Sequence, residues 1–490
     1  MKFRWIHVVA ALAAILYVST LVVLGVTWKA DTGATTVTEG AGEFAEEQAE
    51  RRGDTRARLL AMKEAEHDGL ADLERVQNSP SAGWMGEALF GAGDSTFPPE
   101  NDWEPAIAAD PSAPYVYWLT TRYGGSSACD TCPHYSFILV KVSSDGGATW
   151  GNADYICECA GDRWQVDPVI ATDADGDVYA AWLTTHWDVV FSRSTDHGAT
   201  WSTPVSAKGA SLNWGDHPWI TVSDDGSDVY IGFNKVANYQ VASHDFGATW
   251  GDPIRTSTDG RYYYSEDGTV LPDGTVIFAS TAYAMPNGRN KSIDVYAVRS
   301  TDEGATWNQI KLARVAAPPL CETNGCPKAQ YGSQGSVDSD DSGNVTYVSN
   351  GGRVAHGGQQ IWERHSTDGG ATWSAPVSLS PGGSVNAIYP RVMATGSGDF
   401  RAVWADNRVA KRWFNVYAIR STDDGTSWGT DSLLSDATSG GYGYKSAKGF
   451  PFSYGDYMDG AITSAGKTIA TWGEGWSYAG PGNTWYNVET

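Results

Sequence analysis

Short apolar or alternating runs recur along the chain from about residue 103, and each is bounded by Asp, Gly or Ser. Examples are residues 178–182, which read VYAAW, and residues 400–404, which read FRAVW. Runs of this length between turn residues predict β-strands, since an amphipathic helix needs a longer stretch with a 3.6-residue period. The body of the chain is therefore predicted to be all-β.

An eight-residue motif follows the strand runs at regular intervals. Residues 143–150 read SSDGGATW, and close copies recur so that Ser stands two residues before the Asp, Gly two after and Trp five after. Successive copies lie 49 to 66 residues apart, which is about one four-stranded propeller blade with variable loops. The Asp can accept backbone hydrogen bonds, the Gly supplies a positive φ and the Trp anchors the turn, which predicts a structural role. The acidic residues are Asp145, Asp196, Asp245, Asp302, Asp368 and Asp423.

A second repeat precedes each motif and occurs once more after the last one. In each unit an aromatic residue stands shortly before a polar group, and the units begin at Trp103, Trp164, Trp214, Tyr264, Tyr331, Tyr389 and Tyr454. These units predict a β-propeller of seven blades, with six as the alternative. The last unit reaches Thr490 with no room for a fourth strand. Because an open sheet edge is unfavourable, residues around 84–90 are expected to supply that strand and close the ring.

The N-terminus carries a different pattern. Lys2 and Arg4 precede an uncharged run from Val8 to Trp28, which is long enough to cross a bilayer as a helix. Residues 1–30 are thus predicted to be a retained signal-anchor, with cleavage and secretion as the alternative. The positive flank predicts a single-pass cell-membrane protein with its propeller outside. Residues 31–83 are interpreted as a polar linker and a charged stalk helix, and residues 84–490 as the propeller.

Net charge narrows the range of partners. The chain carries a formal charge of -24 at pH 7, which argues against a nucleic-acid partner, because such partners are bound through cationic groups. The His residues are scattered and no His-Glu-x-x-His motif occurs, so neither a metal nor another cofactor is expected.

The cysteines fall into three close pairs. An exported chain favours disulfides over a zinc site formed by the first four cysteines. The disulfide candidates are Cys129, Cys132, Cys157, Cys159, Cys321 and Cys326. A hairpin turning at residues 146–147 would bring the Cys157 and Cys159 strand near the Cys129 and Cys132 loop. Cys321 and Cys326 would then close a small loop of their own.

Candidate chemistry lies where the inner strands of a propeller begin, because ligand sites form at the end of the central channel. Aromatic faces can stack on sugars while carboxylates bind hydroxyl groups. A structural alternative is that the acids hold strand starts in place and the aromatic rings pack between blades. The residues predicted to bind substrate are Trp103, Glu104, Trp164, Asp167, Trp214, Arg408 and Asp456, and the catalytic candidates are Asp216, Glu266, Arg391 and Tyr454.

The repeated Ser-x-Asp-x-Gly-x-Thr-Trp motif resembles the Asp box of sialidases and other BNR-repeat proteins. That resemblance covers the chain from Trp103 onward and implies a hairpin turn between the third and fourth strands of each blade, away from the ligand face. For an enzyme it implies an exo-sialidase-like glycoside hydrolase with an arginine clamp and a tyrosine nucleophile. Arg391 and Arg408 could stand for later arginines of that clamp, and Tyr454 for the tyrosine.

One departure from the family pattern bears on the substrate. A sialidase opens its first blade with Arg-Ile-Pro, whereas the matching position here reads Glu104-Pro105-Ala106. An anionic sialate would meet a carboxylate there, so neutral sugars stacked on Trp103, Trp164 or Trp214 are the favoured ligands. The sequence thus predicts a membrane-tethered propeller that recognises glycans, with or without glycoside hydrolysis. The alternative is a non-catalytic propeller that serves as a scaffold for a protein or a cell-wall partner.

Overall fold

The computed structural model describes residues 82–100, 102–123, 136–159, 161–284, 291–319, 332–410, 413–435, 441–442, 458–475 and 482–490. Secondary structure in these ranges consists of β-strands and turns. The N-terminal anchor and stalk predictions fall outside the described residues. Within the ranges given, no helix is long and apolar enough to cross a membrane.

Five blades are separate four-stranded antiparallel sheets in which strand order follows chain order. The short strand β1 (Ala88–Leu89) precedes the first blade. The first blade contains β2 (Asp102–Ala109), β3 (Val116–Tyr123), β4 (Ser136–Ser143) and β5 (Asp154–Tyr155). The second contains β6 (Gln165–Thr172), β7 (Val178–Thr184), β8 (Asp188–Ser194) and β9 (Val205–Ser206). The third contains β10 (Asp216–Val222), β11 (Val229–Lys235), β12 (Ala237–Ser243) and β13 (Ile254–Arg255).

The fourth and fifth blades continue this arrangement. The fourth contains β14 (Tyr262–Val270), β15 (Val276–Tyr283), β16 (Ile293–Ser300) and β17 (Asn308–Val315). The fifth contains β18 (Gly335–Ser339), β19 (Val345–Gly351), β20 (Gln360–Ser366) and β21 (Val377–Ser378). In each blade the second strand is buried along its whole length or nearly so, as expected for a strand covered on both faces by neighbouring blades.

The sixth and seventh blades are joined into one nine-stranded sheet. The sixth contains β22 (Ala387–Thr395), β23 (Asp399–Ala410), β24 (Trp413–Ser421) and β25 (Ser432–Leu433), and the seventh contains β27 (Asp459–Ile462), β28 (Thr468–Gly475) and β29 (Gly482–Val488). The short β26 (Gly441–Tyr442) pairs with both β24 and β28 and links the two blades.

The ring is closed by the start of the propeller itself. Strand β1 pairs with β29, so that Ala88 lies opposite Tyr486 and Leu89 opposite Trp485, and Trp84 forms a further bridge with Glu489. This pairing supplies the fourth strand of the seventh blade and confirms the predicted closure. The prediction of seven blades is confirmed as well.

The core consists of apolar side chains packed between adjacent blades. Trp118 of the first blade lies 5.1 Å from Tyr486 of the seventh, measured between ring centroids. Trp118, Trp182, Trp404 and Trp485 are among the largest fully buried side chains. Each apolar layer is thus shared by two sheets, so the orientation of one blade depends on its neighbours.

Candidate functional site

Four of the described inner strands carry a β-bulge near their start. The register shifts between Trp103 and Ala106 in β2, and comparable shifts occur in β6, β10 and β22. Each bulge holds a residue before proline at positive φ, which is uncommon for a residue with a side chain: Glu104 (54°), Asp167 (55°), His217 (49°) and Tyr389 (54°). Each of these residue-proline pairs therefore forms a bend near the start of an inner strand. The bend sets the orientation of the side chain before the proline.

Glu104 joins the first blade to the second. Its carboxylate accepts hydrogen bonds from the hydroxyls of Thr121, at 2.7 Å, and Tyr123, at 3.3 Å. It also accepts one from the backbone N–H of Asp167 in the second blade, at 3.0 Å. Glu104 is buried. Glu104 therefore links the two blades. Without its carboxylate, the buried N–H of Asp167 would lose this hydrogen-bond partner, which would be energetically unfavourable.

Glu266 has the same role between the fourth and fifth blades. Its carboxyl group accepts a hydrogen bond from the hydroxyl of Thr281 at 2.8 Å and another from the backbone N–H of Gly335 at 2.5 Å. Burial raises the pKa of Glu266 to about 8, although both of these bonds oppose the shift. Glu266 is therefore mainly protonated at pH 7.

Arg391 of the sixth blade contacts three other blades across the channel. Its guanidinium lies 2.8 Å from Asp267 of the fourth blade and 2.7 Å from Asp459 of the seventh, and it stacks 4.7 Å from the ring centroid of Trp219 in the third. Burial opposes the charged form, yet the two carboxylates hold the pKa of Arg391 above its ordinary value. The Arg391 side chain is 13% exposed, so this cation is already occupied by protein carboxylates.

Further side chains of the inner strands bond to the backbone of the next blade. Asp459 accepts from the N–H of Ile107 at 2.8 Å, Ser336 from Val392 at 2.9 Å and Asp338 from Ala394 at 2.7 Å. Burial first, and then the charge of Asp267, raise the pKa of Asp338 to about 7. The acids of the channel thus form a series of links between blades, which supports the structural interpretation of this repeat.

Arg408 is also paired with acids. Its Nη2 lies 2.6 Å from Asp406, its Nη1 lies 2.6 Å from Asp431, and its guanidinium stacks 3.6 Å from the ring centroid of Tyr417. Burial opposes the charged form, yet the hydrogen bonds and charges of Asp406 and Asp431 raise the pKa of Arg408. The two arginines proposed for a sialate clamp are therefore each balanced by two carboxylates.

The predicted sugar-stacking aromatic residues differ in exposure. Trp103 packs edge-on against Tyr123 with centroids 5.4 Å apart, and Trp164 packs edge-on against Trp187 at 4.9 Å. Both Trp103 and Trp164 are buried. Trp214 is only partly buried and packs against a core cluster that extends from the second to the fourth blade. Among the three tryptophans predicted to stack on sugar, Trp214 therefore has the most accessible surface.

Asp167 and Asp216 are buried at the starts of β6 and β10. Asp216 lies opposite Asn234 of β11, next to the bulge of its strand. Tyr454 and Asp456 lie outside the described residues. The described part of the seventh blade begins its inner strand at Asp459, a residue that the sequence analysis did not select.

The Asp boxes form one turn geometry in six copies. In the third blade Asp245 accepts bonds from the N–H of Thr249 at 2.8 Å, from the hydroxyl of Thr249 at 2.6 Å and from the hydroxyl of Ser243 at 2.8 Å. The Thr249 hydroxyl and backbone N–H lower the pKa of Asp245. In the first blade Gly146 donates to the carbonyl of Pro114, beyond the end of the inner strand. This contact places the box at the opposite end of the blade from the inner-strand start.

One of the three cysteine pairs lies within the described residues. Cys157 and Cys159 form a disulfide with each other. Cys129, Cys132, Cys321 and Cys326 lie outside the described residues. In the described part of the chain, no group of three or more His, Cys, Asp or Glu side chains is arranged to hold a metal ion.

Sequence reasoning missed an ion pair at the start of the first blade. Arg122 of β3 bonds to Asp102 of β2, and its Nη1 lies 3.3 Å from Glu100. Arg122 and Asp102 are fully buried. Asp102 and Arg122 lie opposite each other in the register of β2 and β3 and carry opposite charges. An alignment of the two strands would therefore have indicated the pair.

Known proteins match this chain over part or most of its length. Residues 219–449 match the family described as a BNR repeat-like domain. A xyloglucanase from a Paenibacillus species is 24% identical over 362 residues, covering 66% of this chain and 33% of the relative. A xyloglucanase from Acetivibrio thermocellus is 25% identical, covering 54% of this chain and 31% of the relative. The chain thus spans about a third of the length of these curated relatives.

Solved structures are also similar to this chain. A Hadza microbial sialidase is 12% identical and has a TM-score of 0.44, with 73% of each chain covered.

Proposed function

The chain is a sialidase-like BNR-repeat propeller, and from this premise we propose that it is a membrane-tethered glycan-binding protein that favours neutral glycans. Its binding site is the end of the channel where the inner strands begin. Trp214 provides a stacking surface there, and the polar groups around the inner-strand starts provide hydrogen bonds.

The observation that carries this proposal is the pairing of both candidate clamp arginines. Arg391 is held by Asp267 and Asp459, and Arg408 by Asp406 and Asp431. A sialate carboxylate would have to compete with these protein carboxylates for the same guanidinium groups, which makes the site poor for an anion. A neutral sugar avoids that competition. The similarity to two proteins named xyloglucanases supports a glycan as the ligand.

Binding without hydrolysis is the activity that the described geometry supports best. A proton donor needs a protonated carboxyl group, and Glu266 meets that condition because its pKa is raised to about 8. However, Glu266 is buried and bonded to Thr281 and Gly335, so its role in linking blades occupies both carboxyl oxygens. A catalytic pair formed by Glu266 and Asp216 is the alternative within the same proposal.

The membrane anchor rests on the sequence alone. The uncharged run from Val8 to Trp28 after Lys2 and Arg4 supports an N-terminal helix with the propeller outside the cell. Alkaline carbonate extraction of membranes tests this part: the full chain should stay in the membrane pellet, and external protease should digest the propeller in intact cells. A soluble mature protein that begins near residue 30 would contradict the anchor.

The binding proposal is tested with immobilised protein and a panel of neutral and sialylated oligosaccharides, including xyloglucan fragments. We expect binding of neutral glycans and no turnover of a fluorogenic sialoside. Trp214→Ala should weaken binding roughly five- to ten-fold, as expected for one lost stacking contact. Phe246→Ala is the matched control, because Phe246 is 40% exposed and lies in an Asp box.

Two outcomes would contradict the proposal in different ways. Rapid sialoside turnover that Arg408→Ala abolishes would restore a sialidase function. Absence of binding to every glycan would favour the second candidate, a scaffold for a protein or cell-wall partner. The engagement of the channel carboxyl groups with neighbouring blades also suits that scaffold.

A further inference from the structure

A second concave surface lies away from the channel, between the outer strand of the fourth blade and the fifth blade. This groove has a volume of about 350 Å³ and is lined by residues of β17, β19 and β20 and of the turns beside them. We call it the arginine groove, after Arg314, Arg353 and Arg364, which line it together with Trp362. None of its lining residues is acidic.

The wall formed by the fourth blade carries excess positive charge. Asp294 is buried behind Arg314, and Arg261, Lys311 and Arg314 all contact its carboxylate. Although burial opposes ionisation, the bonds from Arg314 and Lys311 hold the pKa of Asp294 well below its ordinary value. Arg261 also lies 3.3 Å from Asp259, so two carboxylates face three cations and the cluster keeps one positive charge in excess. The side chain of Arg314 is 53% exposed and can contact a ligand while it remains bonded to Asp294.

The wall formed by the fifth blade is positive for a different reason. Arg364 donates from Nη1 to the carbonyl of Ser374 at 2.7 Å, which holds its guanidinium in place. The neighbouring Glu363 is buried, and burial raises the pKa of its carboxyl group to about 8, so it is mainly protonated at pH 7. Successive residues of a strand point to opposite faces, so Glu363 is buried on one face of β20 while Arg364 keeps its charge on the groove side.

Trp362 adds an aromatic surface to the groove. Its indole N–H donates to the carbonyl of Gly351 at 2.9 Å, which fixes the ring, and Arg353 lies 4.4 Å from the ring centroid. Arg353 is exposed, whereas Trp362 is partly buried. A fixed ring beside guanidinium groups can pack against a sugar while the guanidinium groups bind its anionic substituents.

We propose that the arginine groove binds an anionic polysaccharide through carboxylate or sulfate groups. This site is separate from the channel and extends beyond the neutral-glycan function proposed above. The recessed positions of Trp362 and Arg364 suit a chain that lies in a groove better than a flat lipid surface. Since the whole chain carries a charge of -24, a polyanion is attracted only by local positive charge such as that of this groove, and the attraction weakens as salt rises.

The test uses the full chain in a neutral detergent and measures binding of polygalacturonate, dextran sulfate and uncharged dextran by titration calorimetry. We expect binding of at least one anionic polymer and none of dextran, with affinity that falls between 50 and 300 mM salt. The two anionic polymers distinguish carboxylate from sulfate recognition. The double variant Arg353→Gln/Arg364→Gln should weaken binding by about ten-fold or more, because it removes two charge-assisted contacts.

Arg420→Gln is the matched control. Arg420 is 52% exposed and pairs with Asp399 on the sixth blade, much as Arg314 pairs with Asp294. This control should bind the polymer as the wild type does. If the double variant unfolds at a lower temperature than the wild type, Arg353→Gln alone is used, because that side chain is exposed.

Several results would overturn the proposal. They are failure of both anionic polymers to bind, and an equal loss of binding in the Arg420→Gln control. A third is binding to lipid in place of polymer. If no polymer binds, and the wild type but not the groove variant prefers phosphatidylglycerol vesicles to phosphatidylcholine vesicles, the groove is assigned to lipid headgroups. The two proposals can fail separately. If the wild type binds an anionic polymer but no neutral glycan, the channel function is contradicted and the proposal for the arginine groove is supported.

Discussion

Replacement of Arg391 by methionine separates a structural role from a substrate-binding role. The side chain is 13% exposed, and its partners Asp267 and Asp459 are 10% and 4% exposed, so the variant leaves two largely buried carboxylates without their cation. Removing one partner from a buried ion pair typically lowers the free energy of unfolding by about 3 to 5 kcal/mol. At about 2 °C per kcal/mol for a large domain, the melting temperature should fall by roughly 6 to 10 °C.

The pH dependence of the Arg391→Met variant has a definite sign. Burial already raises the pKa of Asp459, and Arg391 opposes that rise. Without Arg391 the folded-state pKa should rise further above the unfolded value, so stability should fall as pH increases through that interval. The deficit relative to wild type is therefore expected to be smaller at pH 4 than at pH 7.

Calorimetric melting at both pH values measures this effect. Arg420→Met is the control: its pair with Asp399 is exposed and should change stability by about 0 to 1 kcal/mol. Adding Asp459→Asn to Arg391→Met should restore part of the loss, because the unpaired charge is removed. A variant with wild-type melting behaviour that had lost glycan binding or activity would refute this reasoning and assign Arg391 to the ligand.

Three further predictions concern single elements of the fold. Asp245→Ala removes the acceptor of three bonds and should lower the free energy of unfolding by about 1 to 3 kcal/mol without altering glycan binding; wild-type stability in chemical denaturation would count against a structural box. Because the folded pKa of Glu266 is raised to about 8, its contribution to stability should decline from about pH 4.5 to pH 8, and Glu266→Gln should flatten that part of the stability profile; an unchanged slope would exclude this group as its source. Deleting residues 84–90 should expose the edge of β29 and cause aggregation or a lower melting temperature in light scattering, whereas an unchanged monomer would show that this strand is dispensable.

Repeats made the fold accessible from the sequence. The spacing of the Asp boxes gave the blade length, and the lack of a fourth strand in the seventh unit indicated that residues around 84–90 would close the ring. Both inferences rest on local turn chemistry and on the requirement that sheet edges be paired. The structure contains this closure, with Leu89 opposite Trp485.

Partners across blades could not be derived in the same way. Glu104 and Glu266 bond to backbone N–H groups that lie 63 and 69 residues further along the chain, and no local pattern specifies such a contact. The binding of Arg391 to Asp267 and Asp459 likewise depends on the angle between blades. The sequence repeat therefore shows that these acids occupy the same position in their blades. Their role becomes clear only from the hydrogen-bond partners that the structure gives them.

The central claim is that neutral glycans bind where the inner strands begin. A crystal structure of the propeller soaked with a xyloglucan oligosaccharide tests it most directly. The account predicts sugar density within about 4 Å of the Trp214 ring, with the contacts of Arg391 to Asp267 and Asp459 unchanged. Density only at another surface, or a sialoside whose carboxylate displaces Asp267 and Asp459 from Arg391, would contradict it.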